Sequence, residues 1–194
     1  MESLTRIYCV RHALPVKTDR SVDRERPLTD EGREDALRVA ECLREVRLEV
    51  CLSSPYARSV DTVLPTAREH GLTVRYDEDF RERKVGDTGG QYGFWLKRRW
   101  EDFDAAEPEG ECLRSVEERN MRAFRRMLSE CEGKNVLFGT HGTALSVILH
   151  HYDPAWGLDA FNRIGAWMPW VVRMDFDGQE YAGREELFHA DKRH

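Results

Sequence analysis

A layered α/β fold is predicted by this chain on two observations. Short apolar segments bounded by turn residues alternate with segments whose apolar residues recur at helical spacing, and the alternation persists through most of the length. A third observation concerns placement. Groups able to meet an anion recur where a predicted strand hands over to the next turn, which is the ligand-binding end of open α/β sheets.

The bounds come from length and composition. With 194 residues the chain fits a single domain, residues 1–194, whose core needs no disulfide or metal to hold it. Hydrophobic residues make up 40% and charged residues 34%, a globular balance that excludes disorder over most of the length. The net charge of -6 argues against a nucleic-acid partner, because phosphate backbones select basic surfaces. The opening MESLTR lacks a secretory pattern, and no apolar run is long enough to span a bilayer. A cytoplasmic protein without a membrane partner is therefore expected. The five cysteines, Cys9, Cys42, Cys51, Cys112 and Cys131, form no CxxC pair and no ligand cluster, and read as reduced structural thiols. Cys9 and Cys51 fall in predicted strands and Cys42 on an apolar helix face.

In chain order, Arg6 to Val10 reads as a buried strand with Arg11 and His12 at its carboxyl end. The charged stretch VKTDRSVDRERP is an exposed loop, and none of Lys17, Arg20, Arg24 or Arg26 is assigned a role. Thr29 caps a helix begun by Asp30 and Glu31, with Ala36, Val39, Ala40, Leu43 and Val46 as its buried face. Glu49 to Ser53 is a second strand. The helix after it has Pro55 in its first turn, Arg58 beside its free N–H groups, Pro65 to kink or shorten it, and Gly71 to end it. A cation there is locally unfavourable, so either a bound anion or a carboxylate such as Asp61 must answer it.

Leu72 to Tyr76 is a third strand, followed by a loop in which Glu82, Gly86 and Gly90 fall four apart. Tyr92 to Phe103 is a helix that docks through Trp95, Trp100 and Phe103, with Lys97, Arg98 and Arg99 outward. A longer helix runs from about Cys112 to Cys131, with Glu111 at its start and a stripe of Leu113, Val116, Phe124, Met127 and Leu128. Asn135 to Gly139 is a fourth strand, and His141 and Gly142 occupy the turn into an apolar helix, where Gly142 lets backbone approach a ligand. His150 and His151 read as surface residues. After a loop holding Trp156 and Phe161, two strand-like runs flank an Asp177-Gly178 hairpin, and HADKRH reads as frayed.

Six motifs in order resemble the histidine phosphatase superfamily, the phosphoglycerate mutase-like proteins, over nearly the whole length. They are RHA at 11–13, LTDEGREDA at 28–36, SSPYARSVDT at 53–62, the Glu82 loop with Gly86 and Gly90, PEGE at 108–111, and THG at 140–142. The resemblance implies a three-layer α/β/α sandwich with a mostly parallel central sheet. It implies that His12 is a nucleophile forming a phosphohistidine, that Glu82 is the general acid and base, and that Arg11, Arg58, His141 and Gly142 bind the phosphoryl group. For its role Glu82 must carry a proton before transfer, which partial burial beside a bound dianion favours. The partners implied are a small phosphorylated substrate and inorganic phosphate as product. No cofactor and no metal is expected, since protein cations meet the charge a metal would otherwise meet.

Ala13 stands where the family usually has glycine, so the turn must suit a residue with a Cβ. Pro15 and Thr18 stand where a hydroxyl residue and an asparagine are common, and Cys112 where serine is common. Mutases tend to keep those residues, which makes a hydrolase the favoured expectation. A phosphoglycerate mutase-type phosphotransferase and a non-catalytic phosphate-binding or interaction domain are the alternatives.

Overall fold

The structure, a computed structural model, describes residues 4–17 and 23–192. At its centre is β1 (Thr5–Arg11), apolar on both faces: Ile7, Tyr8, Cys9 and Val10 are all buried. A strand covered on both sides reads as a continuous apolar run, and YCV between Ile7 and Arg11 is such a run.

β1 pairs in parallel with β4 (Asn135–Thr140) and antiparallel with β5 (Trp167–Asp177). Beyond β4 lie β2 (Val50–Ser53) and β3 (Val74–Tyr76), both parallel, and beyond β5 lies the antiparallel β6 (Glu180–Asp191). The order is β3-β2-β4-β1-β5-β6, a mostly parallel six-stranded sheet extended by a hairpin. Gly178, at φ +56, makes the turn of that hairpin.

The helices are α1 (Asp30–Leu43), α2 (Ala57–Glu69), α3 (Tyr92–Glu101), α4 (Leu113–Glu130), α5 (Gly142–Tyr152) and α6 (Leu158–Arg163). α1 and α2 cover one face, where Val39, Leu43 and Val63 pack on Tyr8 and Val10. α4 and α5 cover the other, where Phe124, Met127 and Ile148 pack with Ile7, Cys9 and Phe138. The molecule thus has the three layers expected.

The caps account for the helix bounds. The Thr29 hydroxyl accepts from Gly32 N at 2.9 Å, and Asp30 and Glu31 complement the dipole. A Cβ on Gly32 would lie 2.3 Å from Leu14 O, so this glycine is what lets α1 start against the chain leaving β1. The Cys112 sulfur caps α4 by accepting from Ser115 N.

Several expectations need correction. Pro65 neither stops nor shortens α2, which continues to Glu69. β3 begins at Val74 because Leu72 N is spent on Ala67 O, closing the turn after α2 with Gly71 at φ +66. Cys42 is exposed on α1, outside the stripe of Ala36, Val39, Ala40 and Leu43. The segment after Asp153 contains α6, and His150 is half-buried, bonded at Nδ1 to Trp156 O and packed on Phe103. β6 runs to Asp191, and the Lys192 ammonium is held by Glu31 and Asp35, which ties this end to α1.

Candidate active site

The site is built where β1 and β4 stop. His12 follows Arg11, and its N–H donates to Thr140 O at 3.1 Å, one step beyond the ladder. The Ala13 N–H donates to the Thr62 hydroxyl of α2 at 2.9 Å, which fixes the turn. Ala13 is fully buried against Leu28 and Ala36, and it does not take the left-handed backbone that would require glycine. The His12 ring is pinned through Nδ1 on Ala13 O at 2.8 Å. That bond puts the ring proton on Nδ1 and leaves the lone pair on Nε2. Burial first, then the charges of Arg58 and Arg11, hold the His12 pKa well below the ordinary histidine value. A neutral imidazole results.

Because Arg11 and Thr140 are in register on parallel strands, the next residues also lie side by side. The rings of His12 and His141 have centroids 5.3 Å apart. His141 is fully buried, its Nε2 lies 2.7 Å from Ser54 Oγ, and its Nδ1 has no partner. Ser54 Oγ accepts from Tyr56 N, and in the tautomer where that hydroxyl donates to His141 Nε2 the ring proton sits on Nδ1 as a donor. Burial, then Arg58 and His12, lower the His141 pKa as well.

Arg58, in the first turn of α2, is 2% exposed and stacks 5.1 Å from the Tyr56 ring centroid. Its answering carboxylate is Asp23, at 3.2 Å, and not Asp61. It also donates to Asp23 O at 2.6 Å, while its Nε has no partner. Arg11 donates to the carbonyls of Ile164 and Gly165 before α6 gives way to β5. Burial lowers its pKa to about 10, opposed by the Glu82 charge, so it is still a cation at neutral pH. A Cβ on Gly142 would sit 3.2 Å from the Arg11 guanidinium. The group that approaches Gly142 is therefore Arg11, a role the sequence reading had given to a ligand.

Glu82 reaches the same place from the loop after β3. Its oxygens accept from Arg83 N at 2.7 Å, Thr143 N at 3.0 Å and Ala144 N at 3.2 Å, so the carboxylate caps α5. Arg11, His12, Arg58, Glu82 and Gly142 line one cleft of about 760 Å³, whereas His141 is fully buried and does not line it, its ring standing 5.3 Å from that of His12. Lys17, Arg24, Arg26 and Pro15 also line it, whereas Arg20 and Thr18 fall outside the described residues. Among the described residues no group of three His, Cys, Asp or Glu side chains is arranged to hold a metal ion.

Arg99 corrects the reading of α3. It points inward, 2% exposed, and shares the Glu107 carboxylate with Arg83, at 2.6 Å and 2.9 Å. Ser54, Thr62, Asp23, Arg83 and Glu107 were missed as well. Ser54 and Thr62 were in view within SSPYARSVDT, but nothing in a linear pattern says which hydroxyl faces a histidine and which a backbone amide.

A profile of the histidine phosphatase superfamily (branch 1) matches residues 7–184. A 2,3-bisphosphoglycerate-dependent phosphoglycerate mutase from Gloeobacter violaceus is 31% identical over 141 residues, covering 66% of this chain and 64% of the mutase. The match thus spans less than two thirds of that relative. Among solved structures, Bacillus stearothermophilus YhfR superposes with a TM-score of 0.72 at 25% identity, over 92% of this chain and 94% of that one. A mycobacterial glucosyl-3-phosphoglycerate phosphatase superposes with a TM-score of 0.74 at 19% identity, over 94% and 97%. Through sheet order, the two strand-end histidines and these likenesses together, the chain belongs to branch 1 of the histidine phosphatase superfamily.

Proposed function

We propose that this chain is a phosphomonoesterase acting on a small phosphorylated metabolite through a phosphohistidine on His12. The observation that carries the proposal is the His12 ring: Nδ1 bonded to Ala13 O, pKa lowered, and the side chain opening on a cleft edged by Arg11 and Arg58. In the first step Nε2 attacks phosphorus, the ester P–O bond breaks, and Glu82 passes a proton to the leaving oxygen. In the second a water attacks the phosphohistidine, Glu82 takes its proton, and the N–P bond breaks to give inorganic phosphate. Arg11, Arg58 and His141 Nδ1 meet the charge on the phosphoryl oxygens throughout. Two guanidinium cations and one neutral imidazole N–H supply the stabilisation, so the proposal needs neither metal nor cofactor. It treats residues 1–194 as one domain at work in the cytoplasm.

A second reading, transfer between hydroxyls of a phosphoglycerate, is favoured by the name of the Gloeobacter relative. Pro15 in the cleft, where mutases tend to have a hydroxyl residue, favours hydrolysis. Rapid quench with labelled phosphate esters decides. An acid-labile, base-stable phosphoenzyme absent from His12→Ala, with turnover reduced at least about a thousandfold and inorganic phosphate as product, is the expected result. Phosphoglycerate isomerised without phosphate release would replace hydrolysis by the mutase reading, and phosphate binding with no phosphoenzyme would remove catalysis altogether.

A further inference from the structure

A buried guanidinium has five N–H donors to satisfy, and where they go shows what it holds. Arg119, in the middle of α4, is 6% exposed and lies outside the cleft. Its Nη1 donates to Asp79 O at 2.8 Å and to Arg81 O at 2.6 Å, and its Nη2 to Glu82 O at 3.2 Å. Its Nε and Nη2 also form a two-pronged pair with Glu111, at 2.8 and 2.9 Å. Glu111 in turn accepts from Lys84 N at 3.2 Å and Arg81 Nη2 at 3.1 Å. The chain from 79 to 84 is therefore gripped through the carbonyls of Asp79, Arg81 and Glu82 itself and through the amide of Lys84. None of these bonds reaches the Glu82 carboxylate.

We infer that Arg119, with Glu111 as its counter-ion, is a positioning residue that sets where Glu82 delivers its proton. Between β3 and α3 the loop's regular structure is the short 3-10 turn Glu78–Phe80. Beyond Glu82 it is held by the Glu111 N–H on Lys84 O at 2.9 Å and by Arg83 on Glu107, while at Glu82 and just before it Arg119 makes the carbonyl contacts. The amides of Thr143 and Ala144 fix the far end of the Glu82 side chain, and Arg119 fixes the near end. Released from Arg119, the carboxyl would still cap α5 but would lose its aim at a leaving oxygen. Displacement of that order costs roughly a hundredfold in rate. Lysine cannot replace the fan, since one ammonium cannot span three carbonyls and a carboxylate.

This inference rests on Glu82 being the proton donor, and the test separates the two ideas. The kcat/KM for an alkyl phosphate, whose leaving group needs a proton, is compared with that for p-nitrophenyl phosphate, whose leaving group does not. Arg119→Lys should lower the first about a hundredfold and the second less than about threefold. Glu111→Gln, which keeps the three carbonyl contacts, should move the ratio the same way by a smaller factor. In a Glu82→Gln background Arg119→Lys should leave the ratio unchanged, because both act through one proton. Affinity for inorganic phosphate should be unaltered in folded Arg119→Lys and Glu111→Gln. Equal loss for the two esters, or a further change of ratio in the Glu82→Gln background, would reduce Arg119 to a structural residue while leaving Glu82 as the acid. A wild-type ester ratio that Glu82→Gln does not change would instead remove Glu82 from that role, and Arg119 with it.

Discussion

Arg58 meets a carboxylate at the position where the proposed reaction needs a phosphoryl group. Asp23 holds two sides of its guanidinium, and Arg26 stands 3.6 Å from the same carboxylate. An anionic ligand must compete with Asp23 for Arg58, so Asp23→Ala should tighten inhibition by inorganic phosphate or vanadate. Loss of one charge-assisted contact is worth about 1.4 kcal/mol, or roughly tenfold in the inhibition constant. Weaker inhibition in the variant would mean that Asp23 assists the anion. No linear reading finds this pair, because Asp23 and Arg58 are joined only when the loop after β1 folds over α2. Arg11, His12 and His141 were legible for the opposite reason: Arg11 ends, and His12 and His141 follow, strands whose apolar pattern announces where they stop.

The element whose role was least visible is α3. Its basic face read as solvated, and Lys97 and Arg98 are exposed, yet Arg99 turns inward to a carboxylate eight residues on. Glu107 lies among Arg99, Arg83 and the amide of Gly86, in a turn so close that a Cβ on Gly86 would lie 2.0 Å from Pro108 O. Burial alone would push the Glu107 carboxyl up, but its own amide, that of Gly86 and the Arg83 charge bring it down to about 2. A folded-state value below the unfolded one contributes stability above about pH 4.5 that is lost as pH falls toward about 2. Glu107→Gln leaves two buried guanidiniums short of a charge, at a cost of about 3 kcal/mol. The melting temperature should drop by roughly 10 °C near neutral pH and by less in acid. An unchanged melting curve would show that α3 is held by its aromatic contacts, such as Trp100 on Phe103 and Phe161, without the ion pairs.

On the scale of the whole molecule, alternation of strand and helix was enough to expect layers. The order of strands was not, since pairing partners leave no mark in a single sequence. The hairpin of β5 and β6 illustrates the limit: its Asp-Gly turn was visible, but not that β5 would add antiparallel beside β1. Burial at the joint of β1 and β4 also has a global consequence. Both His12 and His141 are kept neutral in the folded state, while in the unfolded chain each takes a proton near pH 6.5. Below that pH the unfolded state binds more protons, so stability falls as pH is lowered, by about 1.4 kcal/mol per pH unit for each histidine at most. Denaturant unfolding from pH 7.5 to 5 should show this slope, reduced by about half in His141→Gln. A flat profile would place both imidazoles in contact with solvent.

The separation of these two rings follows from their being one step beyond paired positions on neighbouring strands. Main-chain bonding therefore gauges the gap between attacking nitrogen and anion donor, as a ruler made of peptide groups. The wall facing the rest of a substrate comes from connections such as α3 and α6, which that ruler does not touch. Such a division lets the rim be recut for another leaving group while the distance on which phosphoryl transfer depends stays the same.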